Sequence, residues 1–136
     1  MSTVSLKNLL VPSKTVEVEF PGYPGFVLNL SYISRDTLIN IRKKATKVVI
    51  KNRQTTEDFD EDIFLQLYVQ NAIKSWDGLK FAYVDKLAPV NLDGIDPEDN
   101  LAYSEENALY LMKSSSDFDS FVTEKVGDLA NFSKIS

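Results

Sequence analysis

Apolar and polar residues alternate over Thr15-Val16-Glu17-Val18-Glu19-Phe20, and again over Phe26 to Tyr32, where Phe26, Leu28, Leu30 and Tyr32 share one face. A period of two is the mark of a half-buried strand. Between the two runs stands Pro21-Gly22-Tyr23-Pro24-Gly25, a dense turn signal. The pair predicts a β-hairpin over residues 14–33, preceded by a loose arm over residues 1–13.

From Ser34 the period changes. Ser34 is placed to cap a helix with Asp36 in its first turn, and Leu38, Ile41, Ala45 and Val48 follow at helical spacing. The end of this helix is open, because the β-branched Val48-Val49-Ile50 reads equally as a short strand. The polar stretch from Lys51 to Asp58 reads as a loop. Asp58 or Asp60 can cap the next helix, in which Ile63, Phe64, Leu65, Leu67, Tyr68, Val69, Ala72, Ile73 and Trp76 occupy almost every face. A helix apolar nearly all round belongs in the middle of a core. It is expected to run from Asp60 to Trp76 and to stop at Asp77-Gly78, with Gly78 supplying a left-handed C′ residue and Trp76 covering the helix end.

Residues 87–103 contain Pro89, Asp93-Gly94 and Asp96-Pro97 and read as a long surface loop. Ser104 is placed to cap a helix from Glu105 to Lys113, with Ala108, Leu109 and Met112 inward. Ser116 or Asp117 then caps a last helix reaching to about Asn131. The fold class expected is α+β: an N-terminal β-hairpin packed on a mainly α-helical body, residues 34–132, of about four helices. All of it forms a single domain over residues 1–136.

Composition narrows the chemistry. The chain has 136 residues and neither cysteine nor histidine. That removes disulfides, thiolate nucleophiles, cysteine zinc sites and the Ser-His and Cys-His devices of covalent catalysis. Paired acids such as Glu17 and Glu19, or Asp60, Glu61 and Asp62, fall on a strand's polar face or at a helix start, where acids are favourable anyway. No enzyme activity, metal or cofactor is therefore expected. The acids of the 93–99 loop do not keep the order of a calcium-binding loop and read as a solvated turn. No segment has the apolar length of a signal or a membrane span, so a cytoplasmic setting is expected.

Charge is divided along the chain. Residues 1–53 carry nine basic and three acidic side chains, and residues 54–136 carry six basic and seventeen acidic ones. Opposite halves of this kind attract within one fold or between copies. The basic cluster Arg42, Lys43, Lys44 and Lys47 reads as a solvated helix end, as a contact for an acidic partner, or as a phosphate contact. The final helix offers Phe118, Phe121, Val122, Val126, Leu129 and Phe132 as a stripe at helical spacing. Such a stripe either docks on the domain's own core or is presented to a partner.

Three segments together carry a resemblance: VEVEFPGYPGFVLNLSYISRDTLINIRKKATK, DEDIFLQLYVQNAIKSWDGLK and YSEENALYLMKSSSDFDSFVTE. They resemble the tail assembly chaperones of long-tailed bacteriophages over nearly the whole chain. The most telling pieces are Ile73-Lys74-Ser75-Trp76-Asp77-Gly78-Leu79 and Tyr103-Ser104-Glu105-Glu106-Asn107-Ala108. Where family members often have Gly before the Trp, this chain has Ser75. The resemblance implies a non-virion protein of the host cytoplasm that binds the tape measure protein, keeps it soluble and helps recruit tail tube subunits. It also implies a longer product made by ribosomal frameshifting. The family supplies no residue-level site, so Phe118, Phe121, Val122, Val126, Leu129 and Phe132 are assigned as the contact stripe from the helix pattern alone. A virion structural tail protein and a small nucleic-acid-binding regulator remain as other classes. Self-association also remains open.

Overall fold

The two alternating segments pair as strands. β1 (Thr15–Glu19) lies antiparallel to β2 (Val27–Ser31), with Val18 opposite Leu28 and Val16 opposite Leu30. Glu17 and Glu19 face water while Val16 and Val18 pack on the core, as the period requires. The computed structural model describes residues 5–10 and 14–128. Residues 5–10 include a single helical turn, α1 (Leu6–Leu9), on which Leu6, Leu9 and Leu10 are exposed.

α2 (Arg35–Lys44) begins where Ser34 Oγ accepts the backbone N–H of Thr37 at 3.2 Å, and it buries Ile41. It stops at Ala45, earlier than the periodicity suggests. Val48-Val49-Ile50 takes the strand alternative: β3 (Thr46–Lys51) pairs antiparallel with β4 (Gln54–Phe59) through Asn52-Arg53. The loop expected from Lys51 to Asp58 is thus largely strand. Its polar side chains concealed it, because this hairpin has no buried face to impose an alternating pattern.

α3 (Glu61–Ala72) is capped by Asp60, whose Oδ1 accepts from the N–H groups of Asp62 and Ile63. It ends at Ala72, four residues before the expected end. Ile73–Asp77 form β5, which adds to the free edge of β2 and completes a three-stranded sheet ordered β1-β2-β5. The sequence misleads here for a definite reason. Trp76 lies opposite Leu28, Ser75 opposite Asn29, and Ile73 opposite Leu30, so Lys74 is an extra residue in the β5 ladder. That bulge turns both Ile73 and Trp76 into the core while Lys74 remains exposed. Two inward residues three apart imitate a helical period.

Gly78 has a different role from the expected helix C-cap. Its φ is +73°, and a Cβ there would overlap the carbonyl oxygen of Gly25 in the β1–β2 turn. Two constraints, left-handed backbone and close approach, coincide at this residue.

Beyond Gly78 the chain forms α4 (Phe81–Leu87) and the long surface loop. It then forms α5 (Glu105–Ser114), capped by Ser104, and α6 (Ser116–Gly127), capped by Ser115. The described residues therefore hold six helices, α1 in the arm and five in the body, one more than expected there, and two small sheets. α+β holds as the class, with an N-terminal hairpin on a helical body, but the hairpin is part of a three-stranded sheet. The core joins Phe26, Leu28 and Leu30 of the β2 segment to Val69 and Ala72 of α3, Leu111 of α5 and Phe118 of α6. Trp76 lies at its centre, edge-on to Phe26, Tyr103 and Phe118, and its Nε1–H donates to Leu101 O at 2.9 Å. The same loop end is fixed by Leu101 N–H to Leu79 O at 2.7 Å and Tyr103 O–H to Ile73 O at 2.9 Å. Trp76 closes the core by joining β5 to the long loop, rather than by covering the end of α3.

Candidate partner-binding surface

The described part of the stripe on the last helix packs on the core. Phe118, Val122 and Val126 have no exposure, and Phe121 is half-buried against Phe20 with ring centroids 4.5 Å apart. Both ends of α6 are fixed: Ser115 Oγ accepts from Phe118 N–H at 3.1 Å, and Ile33 N–H donates to Val126 O at 3.3 Å. The assignment of Phe118, Val122 and Val126 as a contact stripe is corrected accordingly. Docking on the domain's own sheet removes them from any partner. Leu129 and Phe132 lie outside the described residues.

The basic cluster fares differently. Arg42, Lys43 and Lys44 form the last turn of α2, and Lys47 follows in β3; all four are exposed. Arg42 also lies over the Phe64 ring at 5.8 Å. Between α2 and β3–β4 runs an open groove of about 350 Å³, lined by Ile39, Arg42, Lys43, Thr46, Val48 and Glu57. It joins two of the four basic residues to apolar side chains; Lys44 and Lys47 do not line it.

Much of that groove was missed because its partner strand reads as loop. In the β3–β4 register, Thr46 faces Phe59, Val48 faces Glu57 and Ile50 faces Thr55. Directly opposed residues share a face. Thr46, Val48 and Ile50 therefore lie beside Phe59, Glu57 and Thr55. Val48 is 66% exposed, Ile50 75% and Phe59 50%. With Ile39 they leave four large apolar side chains in water on this side of the arm, a concentration that suits an interaction site better than scattered single residues do. The legible signal was Val48-Val49-Ile50 followed by a short polar turn and Thr55-Thr56.

The base of this arm is fixed and the rest projects. Asp60 N–H donates to Ala45 O at 2.7 Å, Thr46 Oγ1 donates to Arg42 O at 2.7 Å, and Phe59 packs on Phe64 with centroids 5.5 Å apart. Every residue of β4 is exposed. At the tip Asn52 and Arg53 both have positive φ, 52° and 64°, the geometry of a two-residue hairpin turn that favours glycine at its second position. Holding Arg53 there costs on the order of 1 kcal/mol.

A second groove, about 510 Å³, lies between α3 and α5, lined by Gln66, Val69, Gln70, Glu105, Glu106, Leu109 and Tyr110. Tyr110 is 58% exposed. Lys80 pairs with Glu98 at 3.0 Å and Lys113 with Asp62 at 3.2 Å, whereas among the described residues neither the cations of residues 42–53 nor Glu105 and Glu106 enter an ion pair. The hydrogen bond to Glu98, reinforced by its charge, raises the Lys80 pKa. Burial, reinforced by Glu105, raises that of Tyr103. Burial also raises the Asp119 carboxyl. Among the described residues no group of acids converges to hold a metal ion, and no helix is long and apolar enough to cross a membrane.

The model of the YdaY prophage protein family matches residues 34–136. That span covers about three quarters of the chain, and the protein belongs to this phage-derived family. The match begins at the Ser34 cap and includes the arm, both grooves and α6; β1 and β2 precede it. No protein of curated function and no solved structure matches the chain.

Proposed function

We propose that this prophage-family protein is a tail assembly chaperone. It binds the tape measure protein in the host cytoplasm, keeps it soluble until tail tube subunits take its place, and performs no catalysis. The observation that carries this reading is the apolar face of the β3–β4 arm, with Ile39, Val48, Ile50 and Phe59 exposed beside Arg42 and Lys43. A long helical client offers apolar stripes interrupted by charge. An apolar strip beside cations fits the boundary between an apolar stripe and acidic side chains. The exposed leucines of α1 add apolar surface, and the net charge of −5 favours solubility of a loaded complex.

The test is co-expression with the longest helical product of the same prophage tail region. The client should move from the insoluble to the soluble fraction and co-purify with this chain. A client equally soluble alone removes the chaperone reading. One observation favours a second reading: β3 and β4 each have an edge without a neighbouring strand in their two-stranded sheet. Edges of this kind suit a structural tail subunit that adds to a ring of strands. Finding the chain in purified particles would favour it.

A further inference from the structure

The arm and the α3–α5 groove are complementary, and neither is filled within one copy. Residues 42–53 hold six cations and no acid, ending at the tip in Lys51 and Arg53. The groove wall presents Glu105 and Glu106 beside the apolar Leu109 and the exposed Tyr110, and no arm residue lines it. A two-stranded hairpin is at best marginally stable alone in water, and this one exposes most of both strands. Its six-residue strands span about 20 Å, close to the roughly 18 Å of the twelve-residue α3. The arm is thus long enough to lie along such a groove. It leaves the body at Phe59, at the start of α3, whereas the groove begins at Gln66 and runs toward the other end of that helix. Its base is held by the Asp60–Ala45 and Thr46–Arg42 bonds, and none of its residues lines the groove of its own copy.

We propose that the β3–β4 arm of one copy docks in the α3–α5 groove of a second copy, and reciprocally, giving a closed twofold dimer. Lys51 and Arg53 pair with Glu105 and Glu106, while Val49, on the same face as Lys51, covers Tyr110 and Leu109 and leaves the opposite face, with Val48 and Ile50, open. The contact is made twice about the axis, so it closes and leaves no free arm to extend a filament. The positive φ at Arg53 fits this role, since a glycine would relieve the backbone and forfeit the guanidinium. The inference does not depend on the chaperone reading, and its test contains no client.

Sedimentation velocity of the full chain, over a range of concentration and salt, tests it. The wild type should be a dimer that weakens as salt rises. Lys51→Glu with Arg53→Glu should weaken association about a hundredfold by placing like charges together, and Glu105→Lys with Glu106→Lys should do the same. Each double variant should keep the wild-type circular dichroism, since all four positions are exposed; each should melt somewhat lower through the lost association, and the groove variant lower still through the lost acids at the start of α5. An equimolar mixture of the two should form a heterodimer, because the reversed arm meets the reversed groove and the unchanged arm meets the unchanged groove. Arg53→Gly should leave the monomer at least as stable and still weaken the dimer. A monomeric wild type, a dimer indifferent to both reversals, or a mixture that stays monomeric overturns the proposal.

Discussion

Replacing Trp76 with Ala tests the packing account at its centre. The indole is 5% exposed, lies edge-on to three aromatic rings and donates one hydrogen bond to Leu101 O. Truncation removes the whole ring and leaves a cavity between β2, β5 and α6, which costs about 3–5 kcal/mol. Trp76→Phe separates the parts. It retains most of the apolar ring but leaves Leu101 O without its donor, a loss of about 1 kcal/mol for the hydrogen bond and somewhat more for imperfect filling. Urea denaturation followed by far-ultraviolet circular dichroism reads both, with an unchanged denaturant slope showing that the unfolded state is the same. The predicted order is wild type, then Phe, then Ala, with Ala at least about 2 kcal/mol below Phe. An Ala variant within about 1 kcal/mol of wild type would refute a packed Trp76, since buried aromatic truncations fall well beyond that.

Three further outcomes follow from the same structure. Phe118→Asp should prevent folding, because it places a carboxylate where the side chain has no exposure; a folded variant on circular dichroism would restore α6 as a surface element. Gly78→Ala should destabilise by more than the roughly 1–2 kcal/mol of a left-handed alanine, since the new Cβ also displaces the Gly25 carbonyl; thermal melting should show this, and a neutral substitution would remove the close approach. Burial, with Asp119 nearby as the smaller cause, pushes the Tyr68 hydroxyl from 10.0 up to about 12. The folded state therefore holds this proton more tightly: the contribution is whole below pH 10 and is lost as pH rises from 10 through 12. Denaturation at alkaline pH should show a steeper loss in wild type than in Tyr68→Phe, and parallel curves would contradict the burial.

Much of the body was legible because its elements have one buried side. The β1–β2 hairpin and the caps at Ser34 and Ser104 followed from period and capping chemistry alone, which left Asp58 or Asp60 for α3, where the structure uses Asp60. The errors have physical causes. A bulge at Lys74 gave a strand the spacing of a helix. β4 carries no inward residue, so no alternation announced it. The stripe of α6 was read as a choice between core and contact, which sequence period alone does not decide: inward residues look alike whether the other wall belongs to the same chain or to another. Arg42, Lys43, Lys44 and Lys47 were visible as a charge run, but their neighbours Val48 and Phe59 became part of one surface only through the β3–β4 register.

In the proposed function, the arm's exposed apolar face holds the tape measure protein. Co-expressing the tape measure protein with wild type, or with Val48→Asp and Ile50→Asp together, measures it most directly through the soluble client recovered with the chain. Both positions are exposed, so the variant itself should remain folded. Soluble, co-purifying client is expected with wild type and at least about a tenfold smaller yield with the variant, the loss that follows when charges enter an apolar contact. Equal recovery with the two chains would contradict it.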